Sequence, residues 1–522
     1  MLWNGLNSAA FLGVLFLLGR YYLHMLQLEG YKPREYQTWL KERFFHQQAA
    51  ALAAALAVTL AGWLWASAAP VLVLASLLLI GGQFLRRQRG KRAKKPLVYT
   101  ARAKRLGLTF LVLNLLFGSL IFWIGWPLAV WLAALIPFTM ALANRCMLPV
   151  ERQVQGHYLR LAGRKLQSMR GLRIVGITGS YGKTSTKYTL RTILAQRYNT
   201  LMTPASFNTP MGVCKVINEE LGPEHEVFVV EMGARYPGDI RELCALVHPQ
   251  IGVLTAVAPV HIETMKSIEG VAKTKYELIE SLPADGLAVF NGDNAICREL
   301  AAMTNPPTAV LYGVESVDER FGVWAEEIEV DERGTRFHLH IRGAQPISCE
   351  TTLLGKHNVS NILAAVAVAD ALGLSAEEIR RGIAAVEPVP HRLQLIHSGN
   401  GVTVIDDAFN SNPDGARQAL EVLRQFKGRK VIVTPGMVEL GTMEYNENKR
   451  FGEMIAQVCD YAILVGKKRT EPIQAGLRER AMPEEQWTVV ADLQEATRKL
   501  GEYARAGDVV LFENDLPDNY DE

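Results

Sequence analysis

The sequence has three long stretches without any Lys, Arg, Asp or Glu, at residues 1–19, 49–85 and 106–144. Each of the last two is too long for one membrane-spanning helix of about 20 residues and long enough for two. Turn signals at Pro70 and Pro127 divide them. Because hydrocarbon holds no water for exposed loop backbone, the pattern favours one single span and two helical hairpins over buried helices of a soluble core. We therefore expect an α-helical membrane domain at 1–145 with five transmembrane helices, at 2–19, 49–67, 70–85, 106–124 and 126–144.

Acidic residues are absent from the loop at residues 86–105, which carries ten Lys or Arg. The positive-inside rule places such a loop in the cytoplasm. Counting spans from this loop places the N-terminus outside and everything after Arg145 inside. We therefore expect a multi-pass protein of the plasma membrane with a cytoplasmic soluble part. The basic loop either sets the topology alone or also binds anionic lipid headgroups or a lipid pyrophosphate.

Paired cysteines are absent as well. The sequence has six cysteines, at 146, 214, 244, 297, 349 and 459, and no two of them form a C-x-x-C pair. This spacing excludes a zinc ribbon, and a cytoplasmic location predicts free thiols.

From Leu172 onward, short β-branched runs alternate with helical stretches, and the first such runs lie at 227–231, 251–256 and 287–291. The alternation predicts a parallel sheet flanked by helices. Alternating polar and apolar residues within 309–352 predict an antiparallel layer.

A helix is predicted at 359–372, and a short proline-containing link at 388–390 leads into a second α/β stretch. Strands are predicted there at 402–406, 430–434, 461–465 and 508–512. The expected organisation is a linker at 146–170, a central α/β domain at 171–390 and a Rossmann-like α/β domain at 391–522.

A glycine-rich turn, TGSYGKTS at 178–185, lies between an apolar run at 172–177 and a segment at 183–198 with helical spacing. A turn between strand and helix directs backbone N–H groups and the positive end of a helix dipole at one point, which suits a phosphate. Lys183 is predicted to reach the β- and γ-phosphates, and the Thr184 hydroxyl to bind Mg²⁺. The strict P-loop pattern is not met, because Ile177 occupies its first glycine position. The surrounding strand and helix still predict a nucleoside triphosphate site.

Residues of the metal-ligand type follow other predicted strands. Glu231 ends one strand, His261 follows the next, and Asp406 and Asp407 end a strand of the second α/β stretch. Open α/β sheets place their sites at such strand ends. A carboxylate and an imidazole near a triphosphate are suitable ligands for a second Mg²⁺. Spacing alone leaves ordinary structural roles open, a helix cap for Glu231 and a surface loop histidine for His261.

Taken together, these motifs resemble the Mur ligase family, and within it most closely the ligases that add D-Ala-D-Ala to a muramoyl tripeptide. The resemblance covers about residues 170–515, and the departure from the strict P-loop pattern is itself typical of that family. The matching segments, in family order, are 176–185, 208–212, 231–234, His261, 272–277, 291–294, 355–361 and 406–413.

The resemblance implies roles for individual residues. Glu231 and His261 match ligands of a second metal, and Lys275 matches a lysine that becomes carbamylated in family members. Asn291 is expected to face the adenine, while Arg392 and Asp406 contact the nucleotide from the C-terminal domain. Asn208 and Asn410 lie in two further matching motifs, and the resemblance implies a catalytic role for Asn208 and nucleotide binding by Asn410. The implied phosphate-binding residues are Gly179, Ser180, Gly182, Lys183, Thr184 and Ser185.

The implied activity is ATP- and Mg²⁺-dependent amide formation through an acyl phosphate, with a small-molecule carboxylate and amine as substrates. Two departures from the family affect which substrates these are. Membrane spans stand where the family has a domain that binds the UDP end of the substrate, and residues 510–520 differ from the family's usual Lys-Gly-Ser segment. A lipid-linked carboxylate is therefore the hypothesis, and nucleic acid is not an expected partner.

Two rival functions remain open at this stage. One is a ligase of the poly-γ-glutamate synthase type, which is also membrane-attached. The other, from a different class, is a membrane ATP-binding scaffold for cell-wall enzymes. Intact Lys183, Glu231, His261 and Lys275 argue against the scaffold, because a scaffold has no need of a full metal set.

Overall fold

The structure is a computed structural model, and it divides into two compact units, Met1–His157 and Tyr158–Glu522. The residues it describes are 2–64, 69–89, 96–124, 127–205, 207–260, 262–315, 318, 320–331, 333–397, 401–408, 411–438 and 440–515.

Every regular element among the described residues of the first unit is a helix. Two of its helices, Gly5–Leu28 and Ala69–Gln88, are long and apolar enough to cross a membrane, and the number rises to four if each of two bent helix pairs is one span. The predicted count of five spans therefore stays a prediction. The helices are α1 (Leu2–Leu28), α2 (Pro33–Leu64), α3 (Ala69–Gln88), α4 (Ala101–Ile124), α5 (Pro127–Ala134) and α6 (Ile136–Ser168).

The predicted single helix at 126–144 is divided at Leu135, where α5 and α6 meet at a bend of 67°. Pro137 explains the division. It has no N–H to donate to the carbonyl of Ala133, and its ring crowds that carbonyl. The predicted linker at 146–170 is helical as far as Ser168, because α6 continues through it.

A nine-stranded sheet forms the first part of the second unit, in the order β2-β3-β1-β4-β5-β6-β7-β8-β9. Pairing is parallel from β2 to β7 and antiparallel from β7 to β9. This confirms the predicted antiparallel layer. The strands are β1 (Arg173–Thr178), β2 (Thr200–Met202), β3 (Val227–Glu231), β4 (Ile251–Leu254), β5 (Leu287–Asn291), β6 (Thr308–Gly313), β7 (Phe321–Asp331), β8 (Gly334–Ile341) and β9 (Ile347–Thr351).

Helices cover both faces of this sheet, as expected for parallel strands buried on two sides. One face packs against α13, whose small and β-branched residues are almost all buried. The helices of this part are α7 (Lys183–Leu194), α8 (Pro210–Glu219), α9 (Asp239–Val247), α10 (Ile262–Met265), α11 (Ile268–Glu280), α12 (Ala295–Met303), α13 (Lys356–Ala371) and α14 (Ala376–Ala384).

A second sheet follows, in the order β10-β11-β15-β12-β13-β14, parallel except for the pair β10–β11. The last strand lies between β11 and β12, so the carboxyl ends of three central strands meet at one edge. Its strands are β10 (Gln394–His397), β11 (Thr403–Asp407), β12 (Lys430–Thr434), β13 (Tyr461–Val465), β14 (Trp487–Val490) and β15 (Val509–Glu513). Its helices are α15 (Pro413–Gln425), α16 (Glu444–Val458), α17 (Glu471–Glu479) and α18 (Leu493–Tyr503).

Candidate active site

The predicted phosphate-binding turn lies between β1 and α7, and two of its glycines are required by their surroundings. Gly182, at the start of α7, has a φ of 80°, which favours glycine. A Cβ on Gly179 would lie 1.9 Å from Thr255 Oγ1, and one on Gly182 would lie 2.8 Å from Asn361 Oδ1. The loop therefore has no room for side chains at either position.

Ser180 stabilises the loop from inside. Its hydroxyl donates to the carbonyl of Ala258 at 3.1 Å and accepts from the N–H of the same residue at 2.8 Å. The backbone of Ser180 also donates to the carbonyl of Ala256. These bonds fasten the loop to the segment that follows β4.

Lys183 lies over its own loop. Its Nζ donates to the carbonyl of Gly179 at 2.7 Å. Burial lowers the pKa of this ammonium, Glu231 raises it, and Arg392 lowers it. The side chain is thus held where a triphosphate bound to the loop would meet it.

The carboxylate of Glu231 lies at the centre of the site. Its Oε2 accepts from the Thr184 hydroxyl at 3.1 Å and from Lys187 Nζ at 2.9 Å, and its Oε1 accepts from Asn208 Nδ2 at 3.2 Å. The sheet order explains this arrangement, because β3 pairs directly with β1 and both strands end at the same edge. The structure thus brings together three residues singled out from the sequence: Thr184, Asn208 and Glu231.

The oxygen atoms of Thr184 and Glu231 fit a magnesium ion, since Mg²⁺ prefers hydroxyl, carboxylate and phosphate oxygens. Among the residues that the structure describes, no group of three His, Cys, Asp or Glu side chains is arranged to hold a metal. His261, the predicted imidazole ligand, lies outside the described residues.

Lys275 lies on α11 with only 3% of its surface exposed. Its pKa is well below the ordinary value, first because of burial and second because of the nearby Lys183 charge. Both effects favour the neutral amine. The neutral form is the one to which carbon dioxide adds, so the residue fits the predicted carbamate.

A cavity of about 490 Å³ opens beside the loop, between the nine-stranded sheet and the C-terminal sheet. Ser185 and Asn291 line it from one side, and Arg392 and Asp407 from the other. Burial lowers the pKa of the Arg392 guanidinium, while Asp407 and Glu231 raise it. Residues from both parts of the second unit thus line one cleft.

Two residues predicted to contact the nucleotide, Asn291 and Asp406, interact with other residues of the protein. Asn291 donates from Nδ2 to the carbonyl of Thr255 at 2.9 Å, and its Oδ1 accepts the N–H of Asp293 at 3.0 Å. Asp406 lies 2.7 Å from His391 Nδ1. Its neighbour Asp407 lines the cavity instead, and burial raises the pKa of Asp407 to about 6. Asn410 lies outside the described residues.

Sequence reasoning missed two residues of the site. Lys187, bonded to Glu231, follows Lys183 by one helical turn, so helix periodicity places both on one face of α7. Glu513 ends β15 beside Asp407 and accepts hydrogen bonds from Ser411 and Thr434. The strand-end rule that singled out Glu231 applied equally to Glu513, which follows an apolar run.

Replacing Glu513 by glutamine should change the pH dependence of stability. Burial is the main reason that the pKa of Glu513 is raised from 4.5 to about 8. Hydrogen bonds from Ser411 and Thr434 lower this pKa, and the nearby Asp407 charge raises it further. The folded state therefore holds this proton more tightly than the unfolded chain, so the stabilisation is present below 4.5 and is lost as pH rises through about 8.

Glutamine cannot ionise, so the variant's unfolding temperature should decline less than that of the wild type across this pH window. Thermal unfolding followed over the window in both proteins measures the difference. Parallel pH profiles for the two proteins would show that Glu513 titrates normally.

Comparison with known proteins identifies both parts of the second unit. Residues 177–369 match the Mur ligase middle domain, and residues 391–513 match the Mur ligase, glutamate ligase domain. The chain is 34% identical over 365 residues to UDP-N-acetylmuramoyl-tripeptide--D-alanyl-D-alanine ligase of Mycobacterium tuberculosis (strain CDC 1551 / Oshkosh), which covers 65% of this chain and 70% of that protein. It is 35% identical to the ligase of the same name from Mycobacterium bovis, over 58% of this chain and 59% of that protein.

The fold is also similar to that of the MurF ligase from Thermotoga maritima, whose crystal structure is a complex with ADP. The TM-score is 0.62 at 25% identity, and the match covers 69% of this chain and 80% of the other. Sequence and fold thus agree over the same two domains. The chain belongs to the Mur ligase family, whose members are ATP-dependent ligases that form amide bonds.

Proposed function

We propose that the protein is a peptide ligase of cell-wall precursor synthesis that joins an amine, D-Ala-D-Ala or another, to a carboxylate of the muramoyl-peptide type. One observation carries the proposal. The P-loop residues Lys183 and Thr184 lie with Glu231 at one edge of the sheet, beside a cleft that a second domain completes. That arrangement suits phosphoryl transfer from ATP to a small-molecule substrate.

The proposed reaction has two steps. A carboxylate oxygen of the first substrate attacks the γ-phosphorus of ATP, which forms an acyl phosphate and releases ADP. The amine then attacks the acyl carbon, the amide bond forms, and inorganic phosphate leaves with the electrons of the broken C–O bond. The amine loses a proton in this second step.

The chain's own residues serve the first step through charge. Carboxylate and triphosphate are both anionic, so the Lys183 ammonium stabilises charge where it develops. When bound with ATP, Mg²⁺ would supply further charge stabilisation, held by Thr184 and Glu231. Closure of the cleft on ATP would exclude water, which otherwise hydrolyses an acyl phosphate.

We further propose that the carboxylate substrate is lipid-linked or otherwise held at the membrane. The apolar helices Gly5–Leu28 and Ala69–Gln88 support this, because a membrane anchor confines the ligase domains near the bilayer. Confinement raises the effective concentration of a lipid-borne substrate without any new contact.

Phosphate release by the detergent-solubilised protein tests these proposals. The carboxylates would be UDP-muramoyl-tripeptide and its lipid-linked form, and the amines D-Ala-D-Ala, L-glutamate and ammonia. We expect release with D-Ala-D-Ala and faster turnover of the lipid-linked carboxylate. Equal turnover of the two carboxylates would refute the lipid preference alone. Glutamate-dependent phosphate release with a growing polymer would indicate a poly-γ-glutamate synthase. No phosphate release with any pair of substrates would indicate a scaffold.

The domain division and membrane topology remain proposals of the same kind. We propose a protein of the plasma membrane with five spans within 1–145 and an external N-terminus. A linker at 146–170 would join these spans to cytoplasmic ligase domains at 171–390 and 391–522. Reporter-enzyme fusions at each hairpin tip and at the 86–105 loop would test this arrangement. A loop reporter active on the outside of the cell would overturn it.

A further inference from the structure

Lys187 makes a buried ion pair with the carboxylate proposed to hold the metal. Its side chain is 0% exposed and that of Glu231 is 2% exposed, with Nζ 2.9 Å from Oε2. Nζ also donates to the carbonyl of Ala205 at 2.5 Å. Both partners are acceptors and one is a carboxylate, an environment that an ammonium donor suits.

The charges of this pair cancel, so Glu231 offers no net negative charge to a metal that arrives alone. Glu231 is neutralised by Lys187, and both of its oxygens already accept hydrogen bonds, from Thr184 and Asn208 as well as from Lys187. The Lys183 side chain, on the preceding turn of α7, adds a further cation. Buried charges at these distances are weakly screened by salt. A free divalent cation is thus repelled, whereas one bound to a triphosphate brings its own negative charge.

We propose that Lys187 is a positioning residue that excludes free divalent cations from Glu231, so that metal enters only as the complex with nucleoside triphosphate. The inference rests on the proposed ATP site and adds an order of binding to it. It also gives Lys187 a role distinct from that of Lys183. Lys183 would meet the phosphates of the nucleotide, whereas Lys187 offsets the negative charge of the proposed metal ligand Glu231. The Ala205 carbonyl holds the ammonium in place as the second anchor.

The test measures binding of Mn²⁺, a paramagnetic stand-in for Mg²⁺, to the full-length protein without nucleotide. Electron paramagnetic resonance of free Mn²⁺ would be recorded for the wild type, Lys187→Met, Glu231→Gln and the double variant. Methionine keeps the apolar stem of lysine and removes its charge. Lys215→Met is the matched control, because Lys215 lies on α8, is 56% exposed and pairs only with nearby Glu219 among the ion pairs of the described residues.

We expect the wild type and Lys215→Met to leave Mn²⁺ free. Lys187→Met should bind it at least about tenfold more tightly, a change equivalent to ~1.4 kcal/mol. The gain should disappear in the double variant with Glu231→Gln. A purely structural role for Lys187 would loosen the site and could not produce tighter metal binding.

Three results would overturn the inference. In the first, the wild type binds free Mn²⁺ and Glu231→Gln abolishes that binding. In the second, Lys187→Met binds Mn²⁺ no more tightly than the wild type, and in the third it binds Mn²⁺ more weakly. The first of these does not depend on whether Lys187→Met folds. Calorimetry of ATP with Mg²⁺ on the wild type separates the two proposals, since a protein that binds no ATP refutes the proposed function whatever the Mn²⁺ spectra show.

Discussion

Replacing Lys183 by alanine is expected to lower the rate of ligation by roughly 10²- to 10³-fold, the usual effect of removing one group that stabilises transition-state charge. The ammonium lies over the predicted phosphate-binding loop, 2.7 Å from the carbonyl of Gly179. It is therefore placed to meet the negative charge that moves onto the β- and γ-phosphates as the acyl phosphate forms. Release of phosphate and ADP, with saturating carboxylate and amine, measures the loss.

The control for this prediction is Lys215→Ala, on the exposed surface of α8. Thermal unfolding of both variants should stay close to that of the wild type, because the Lys183 side chain is only partly buried and alanine suits the first turn of a helix. If Lys183→Ala ligated at the wild-type rate, the loop would have no part in phosphoryl transfer, and the proposed function would have to be abandoned.

Replacing Lys275 by alanine is expected to abolish ligation while ATP binding is largely kept. Lys275 lies on α11 rather than in the loop, and its burial beside the Lys183 charge lowers the pKa of its amine. A carbamate formed there would turn a cation into an anion able to hold metal. Without it, the nucleotide would still contact the loop, but charge at the reacting phosphate would be less well stabilised. Calorimetry for ATP and phosphate release for ligation measure the two properties separately.

Lys273→Ala is the matched control, since Lys273 lies two residues away on the same helix and is exposed. Wild-type activity should also fall at low pH, because protonation of the Lys275 amine prevents addition of carbon dioxide. Full ligation by Lys275→Ala, without added bicarbonate or chloride, would remove the carbamate from the mechanism.

Local pattern was sufficient to predict much of the soluble part. The strands predicted at 227–231, 430–434 and 461–465 form with those bounds. Each is a short apolar or β-branched run bounded by turn residues, and burial on both faces of a parallel sheet requires such a run. The loop between β1 and α7 was predicted for a similar reason, since Gly182 has a φ of 80°, a local conformation that favours glycine.

Other features depend on neighbours that lie far away in sequence. The partners of Glu231 come from α7 and from the segment after β2, and only the strand order β2-β3-β1 brings them together. Asp406 and Asp407 are adjacent and chemically alike, yet Asp406 pairs with His391 and Asp407 lines the cleft. In the first unit, hydropathy does not resolve how Pro137 divides one apolar stretch into two helices.

Apolar helices followed by an α/β ligase could be predicted without the fold, because periodicity, glycine turns and strand-end residues are properties of short segments. Three features follow only from the three-dimensional arrangement: Lys187 pairs with Glu231, Asp407 rather than Asp406 lines the cleft, and Glu513 is buried beside Asp407. The physical reason is that charge, burial and hydrogen bonding at a site depend on distances between segments, and those distances are set by the order of strands in the two sheets.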